Sequence, residues 1–174
     1  MTMPPVDLDK LLCSVGRKFS LPKLYLKAVA TIESSLDPMA YRFEPQFWER
    51  YLKNHEFWKT WDPAKVSASF GLFQVIFVTA YEAGFVGQPE DLYNPVFNAQ
   101  IAGKILSKHL ERVEKSGVHI KWKIWPLYIA TARYNGGAGG NPGPDGTLRN
   151  AAYADKVFSK WKELWEKEVE CVEP

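Results

Sequence analysis

Cysteine and histidine are scarce in this 174-residue chain, with two of the first and three of the second. Two cysteines exclude the dense disulfide framework of small secreted domains, and a chain of this length buries on the order of 70% of its unfolded surface without staples. Cys13 and Cys171 stand near opposite ends and fit either a bridge that pins the termini or two free thiols. His55, His109 and His119 share no motif with cysteine or with closely spaced carboxylates, so no metal is expected. No apolar run reaches membrane-spanning length. The opening residues, MTMPPVDLDKLLCSVGRKF, lack a charged segment followed by a long apolar one, so no export signal is expected within them. An excess of charge is missing too: the net charge is +2, and Lys and Arg are scattered along the sequence rather than gathered as in a nucleic-acid binder.

Alternating β-branched runs are nearly absent, whereas apolar residues recur at helical spacing through most of the chain. The expectation is a mainly α-helical single domain over residues 1–174, with at most a short hairpin or extended segment near residues 64–72. Asp7 predicts the N-cap of a first helix running to about Phe19, and Pro22 opens a second that ends near Ser34. A third helix is expected over about Gln46 to Lys53, and another over Ile76 to Ala83. The stretch WDPAKVSASFG reads as loop or hairpin. Asn94 and Pro95 start a long helix to about Lys115. The apolar segment IWPLYIATARYN forms a central helix ended by Gly136 and Gly137. The breaker-rich GGAGGNPGPDGT is loop, and Asn150 to Glu168 close the chain as an amphipathic helix.

On the second helix, Glu33 falls between Leu26 and Val29 on the helical wheel, while Lys23, Lys27 and Thr31 make the polar face. A carboxyl aimed at the apolar side holds its proton to higher pH, which is what a general acid in glycoside cleavage requires. A glutamate whose head simply reaches solvent or an arginine satisfies the same geometry.

Five segments in order go further. IESS at 32–35, SASFGLFQVIFVTAYEAGF at 67–85, DLYNPVFNAQIAGKIL, ATARYNGG and YADKV resemble the glutamate-serine, Gly-Leu-Met-Gln, long-helix, Ala-Tyr-Asn-Ala-Gly and Tyr-x-x-Lys-Val motifs of the soluble lytic transglycosylase and goose-type lysozyme superfamily. The resemblance implies a lysozyme-like helical fold in which Glu33 is catalytic. It implies a substrate groove involving Ser34, Ser69, Phe73, Gln74, Tyr134 and Asn135, with Tyr134 beside the acid and the substrate's N-acetyl group. Tyr153 is read first as packing and second as a groove residue. Phe73 departs from the family's methionine, as do Ser69 and Phe70 from its small residues.

The segment YRFEPQFWERYLKNHEFWKTWDP resembles an Arg-Phe-Glu-Pro insertion found in a phage and bacterial subset, and it offers Glu44 and Asp62 as a possible second carboxylate. An Arg42 to Glu44 pairing is the structural alternative. Trp48, Trp58 and Trp61 are candidates for sugar stacking, with core packing the commoner use of such residues. The activity the resemblance implies is cleavage of the MurNAc-β-1,4-GlcNAc bond of peptidoglycan with formation of 1,6-anhydro-MurNAc. The alternatives are a hydrolytic lysozyme using Glu33 with Glu44 or Asp62, and an inactive wall-binding or phage structural module. The expected partner is the peptidoglycan glycan strand at the cell wall. The protein is expected to act as a monomer, with no cofactor, no nucleic acid and no membrane span.

Overall fold

In the computed structural model, which describes residues 6–136 and 140–171, the helix starts follow the capping chemistry of the sequence. Asp7 accepts from the Lys10 N–H and opens α1, Leu8–Phe19. Pro22 precedes α2, Lys23–Ser34, whose end turns through two left-handed residues, Ser35 (φ 57°) and Leu36 (φ 66°). Side chains pay a steric cost in that conformation, so the segment just past Glu33 is strained.

The predicted third helix is broken into two pieces. A turn of helix, α3 (Pro45–Phe47), passes into a π-helical turn, Trp48–Leu52. A 3-10 turn at Trp58–Thr60 and the short α4, Pro63–Val66, lead to the strands. Three strands form an antiparallel sheet in the order β1 (Tyr41–Phe43), β2 (Ala68–Phe70), β3 (Val75–Ile76), where the expectation was at most one hairpin near 64–72. The register pairs Arg42 with Ser69 and Ser69 with Ile76. The rest is helical: α5 (Phe77–Glu82), a 3-10 turn (Pro89–Tyr93), α6 (Pro95–Ser116), α7 (Val118–Trp122), α8 (Pro126–Gly136) and α9 (Ala151–Lys167). Asn94 caps α6 through the Val96 N–H. Gly136 is the last residue of α8; Gly137 and the start of the glycine-rich loop lie outside the described residues.

The helix carrying Glu33 is clasped on several sides. It packs against α1 and α9, while α6 packs against α1 and α8. Leu24, Tyr25, Leu26, Ala28, Val29 and Ala30 are buried in the main core. The predicted polar face of α2 does not face open solvent, because the C-terminal tail covers it. Glu170 accepts from the backbone N–H groups of Lys23 and Leu24, supplying the N-terminal cap that Pro22 lacks. Lys23 is buried with its Nζ donating to the Val169 carbonyl, and Lys27 pairs with Glu168. Cys13 and Cys171 are joined by a disulfide with Cα atoms 5.7 Å apart, which ties the tail to α1. Among the described residues, no helix is long and apolar enough to cross a membrane.

Candidate active site

Glu33 sits one residue before the end of α2, half-buried, at the point where helix, sheet and α9 meet. Its Oε1 accepts a hydrogen bond from the Tyr153 hydroxyl at 2.5 Å. Tyr153 lies in the first turn of α9, and because α9 runs along α2 its phenol reaches the end of the neighbouring helix. The carboxyl's pKa is pushed up to about 7. Burial is the main cause; the Tyr153 hydrogen bond and the Arg42 charge pull it down, and the Glu44 charge pushes it up. A carboxyl in this state is protonated for a large fraction of the time at neutral pH and is able to donate.

Tyr134 lies on α8, and its hydroxyl donates to the Phe73 carbonyl at 2.8 Å rather than to Glu33. Burial and the nearby Glu33 charge both raise its pKa. Tyr25, fully buried beneath, is raised by burial and exchanges a hydrogen bond with Thr131. Since the Thr131 hydroxyl gives its own proton to the Leu127 carbonyl, Tyr25 is the donor in that pair. Two phenols that keep their protons, Tyr134 and Tyr153, thus lie beside the Glu33 carboxyl, and Tyr25 lies behind them.

The turn between β2 and β3 lies next to this end of α2, bonded by Ser34 and Tyr134. Gly71 has φ +69°, and a Cβ there would lie 2.6 Å from the Leu92 carbonyl oxygen and 2.7 Å from the Asn98 amide nitrogen, so the turn requires glycine. Its polar groups are bonded by side chains from α2, α6 and, through Tyr134, α8, and by Gln74 within the turn. Ser34 Oγ donates to the Leu72 carbonyl at 2.8 Å. Asn98, fully buried on α6, donates to the Phe70 and Leu92 carbonyls and accepts from the Phe73 N–H. Gln74, itself at a positive φ of 46°, donates from Nε2 to the Ala40 and Gly71 carbonyls. Two carbonyls demand the NH2 end of that amide, so its orientation is fixed and Oε1 is left as the open acceptor.

Other expected groove residues stand elsewhere. Phe73 is fully buried in the core, so its side chain offers no surface to a sugar; its backbone positions Tyr134 and Asn98 instead. Ser69 is buried in the middle strand, with its hydroxyl 3.4 Å from Glu44 Oε1. Asn135 is exposed on the last turn of α8. Glu44 is held by Arg42 Nε at 2.5 Å, and both charges act on Glu33. Asp62 caps α4 by accepting from the Ala64 N–H and is not among the charges acting on Glu33. Trp58 is a core residue, edge-on to Phe57, Trp61 and Tyr81, while Trp48 and Trp61 pack partly buried against the core.

Asn98 was not legible as a site residue. Its one signal is an amide in the buried stripe of α6, where an unpaired polar group would be costly and therefore had to have partners. Tyr153 was ranked as packing because no sequence spacing connects it to Glu33.

No curated protein and no solved structure matches the chain. The model of the family described as Transglycosylase SLT domain matches residues 12–152, from the second turn of α1 to the start of α9. That span contains Glu33, the sheet and the turn next to the end of α2, and the chain belongs to the transglycosylase SLT domain family, with a lytic transglycosylase type of function on peptidoglycan.

Proposed function

We propose that the protein cleaves the MurNAc-β-1,4-GlcNAc bond by intramolecular transfer, with Glu33 as the sole proton-transfer group. The observation that carries this reading is a half-buried carboxyl with its pKa pushed up to about 7 by burial, hydrogen-bonded by one phenol at the end of α2, where the next residue, Ser34, bonds the β2–β3 turn. Protonated Glu33 donates to the leaving glycosidic oxygen while the substrate's 2-acetamido oxygen stabilises the anomeric centre. The resulting carboxylate then takes the C6 hydroxyl proton, and O6 closes on C1 to give the 1,6-anhydro ring. Gln74 Oε1 is suited to accept from the acetamido N–H. Holding that internal nucleophile in place is worth several kcal/mol, as an order of magnitude. Ser34 and Tyr134 act by holding the turn, and exposed Asn135 is assigned to the rim of the groove.

Hydrolysis is the second reading, because Glu44 lies close enough to Glu33 for its charge to be felt. The Arg42 guanidinium and the Ser69 hydroxyl both occupy Glu44 Oε1, which ties this carboxylate to the sheet and favours the first reading. Mass spectrometry of digested sacculi separates the two. Anhydro-ended muropeptides support transfer; reducing ends alone, heavier by one water, contradict it and assign the water-activating role to Glu44.

A further inference from the structure

We propose that Arg133, His109 and Arg112, at the packing of α8 on α6, form a binding site for an oxyanion, a carboxylate or phosphate group. Arg133 stands within ATARYNGG where the motif it resembles has alanine. It is half-buried, its Nε is out of contact with solvent, and among the described residues none accepts from its guanidinium. An arginine carries five N–H donors, and burying one without an acceptor is costly. His109 repeats the pattern from α6, with a buried Nδ1 that also lacks a partner.

The charge around these two atoms has one sign. Lys108, Arg112 and Arg133 all act on His109 and, together with its burial, lower its pKa to about 4. Burial lowers the Arg133 pKa, and the Arg112 charge adds to it. Along α6, Lys104, Lys108 and Arg112 follow at four-residue spacing, so like charges lie above one another and destabilise the helix. The nearby carboxylate, Glu111, is committed to Lys115. None of Lys108, Arg112 and Arg133 is in a salt bridge among the described residues, nor is any of them among the charges acting on Glu33. An anion bound here accepts from the outer N–H groups of the half-buried Arg133 guanidinium and relieves the repulsion. Two sources carry that chemistry: the carboxylates of the stem peptides on peptidoglycan, which rests on the family's substrate, and free inorganic phosphate.

The test follows the Arg133 Nε–H and His109 ring resonances by NMR in the whole wild-type protein. Three probes are added in turn: inorganic phosphate, a soluble disaccharide tetrapeptide, and the same muropeptide with its carboxyls amidated. Saturable shifts at both residues with phosphate, a rise in the His109 pKa, and binding about tenfold weaker in Arg133→Gln support the site. Arg112→Gln, at an exposed position that leaves the core intact, weakens binding about threefold. Shifts with the muropeptide that vanish on amidation assign the site to substrate carboxylates; shifts with phosphate alone assign it to the free ion. Resonances unmoved by every probe, or equal phosphate affinity in wild type and both variants, overturn the proposal. Because phosphate binding is read without turnover, an active enzyme that fails this test removes the anion site alone, and a binding protein without activity removes the catalytic reading alone.

Discussion

At the scale of the residue, the account turns on what Glu33 costs the fold and gives the reaction. The unfolded chain releases this proton near pH 4.5 and the folded protein near pH 7. Between those values the folded state binds more protons, so stability falls as pH rises through the window and the full cost is present above it. Glu33→Gln is therefore expected to stabilise the protein by about 1–3 kcal/mol at pH 8 and by nothing measurable below pH 4, read from denaturant midpoints at the two pH values. The phenol of Tyr153 supports the ionised form, so removing it has a definite sign. In Tyr153→Phe the basic limb of the pH–activity profile on purified sacculi moves upward while the maximal rate drops. A limb that stays in place would mean that Tyr153 only packs against the core. The sequence placed Glu33 correctly on the apolar side of its helix, but it had no way to rank Tyr153 above Tyr134, because their roles depend on how α9 and α8 cross α2.

At the scale of the element, the β2–β3 turn is held by side chains from outside it. Asn98 is the fully buried member of its network, bonding two carbonyls and one N–H. Asn98→Leu leaves all three groups without partners in a dry site and is expected to cost about 3–5 kcal/mol, measured by urea denaturation. An effect below about 1 kcal/mol would show that water replaces the amide and that the turn is not held as described. The helices were legible because their starts carry chemistry that reads locally: Asp7 and Asn94 as caps, Pro22 just before α2 and Pro95 in the first turn of α6. The first strand was not, because Tyr41–Phe43 is an exposed three-residue edge with no alternation of burial; it exists only because β2 pairs with it. Likewise, the helix expected from Gln46 to Lys53 shows helical periodicity but opens into a π-turn, where Trp48 and Leu52 pack against the core.

At the scale of the whole molecule, α1 and the segment after α9 are joined beside the helix that carries Glu33. The disulfide spans a sequence separation of 158 residues, and the next residue inward, Glu170, caps α2. By chain entropy alone a closure of that length is worth about 4–5 kcal/mol, so reduction is expected to lower the denaturation midpoint strongly. Glu170→Gln, with the bridge intact, should remove about 1 kcal/mol by weakening the cap. Cysteine positions alone left the bridge and the free thiols equally open, since the sequence does not show that the tail folds back over the polar face of α2. That cover also explains why Lys23 is buried although the helical wheel puts it outside.

The central claim, that one partly buried carboxyl carries the proton transfers, is tested most directly by the rate at which Glu33→Gln clears purified sacculi near neutral pH beside wild type. Folding of the variant is established by its raised stability at pH 8. The account predicts a loss of about a hundredfold or more in a variant that is folded and more stable than its parent. Clearing at the wild-type rate by that same protein would contradict it.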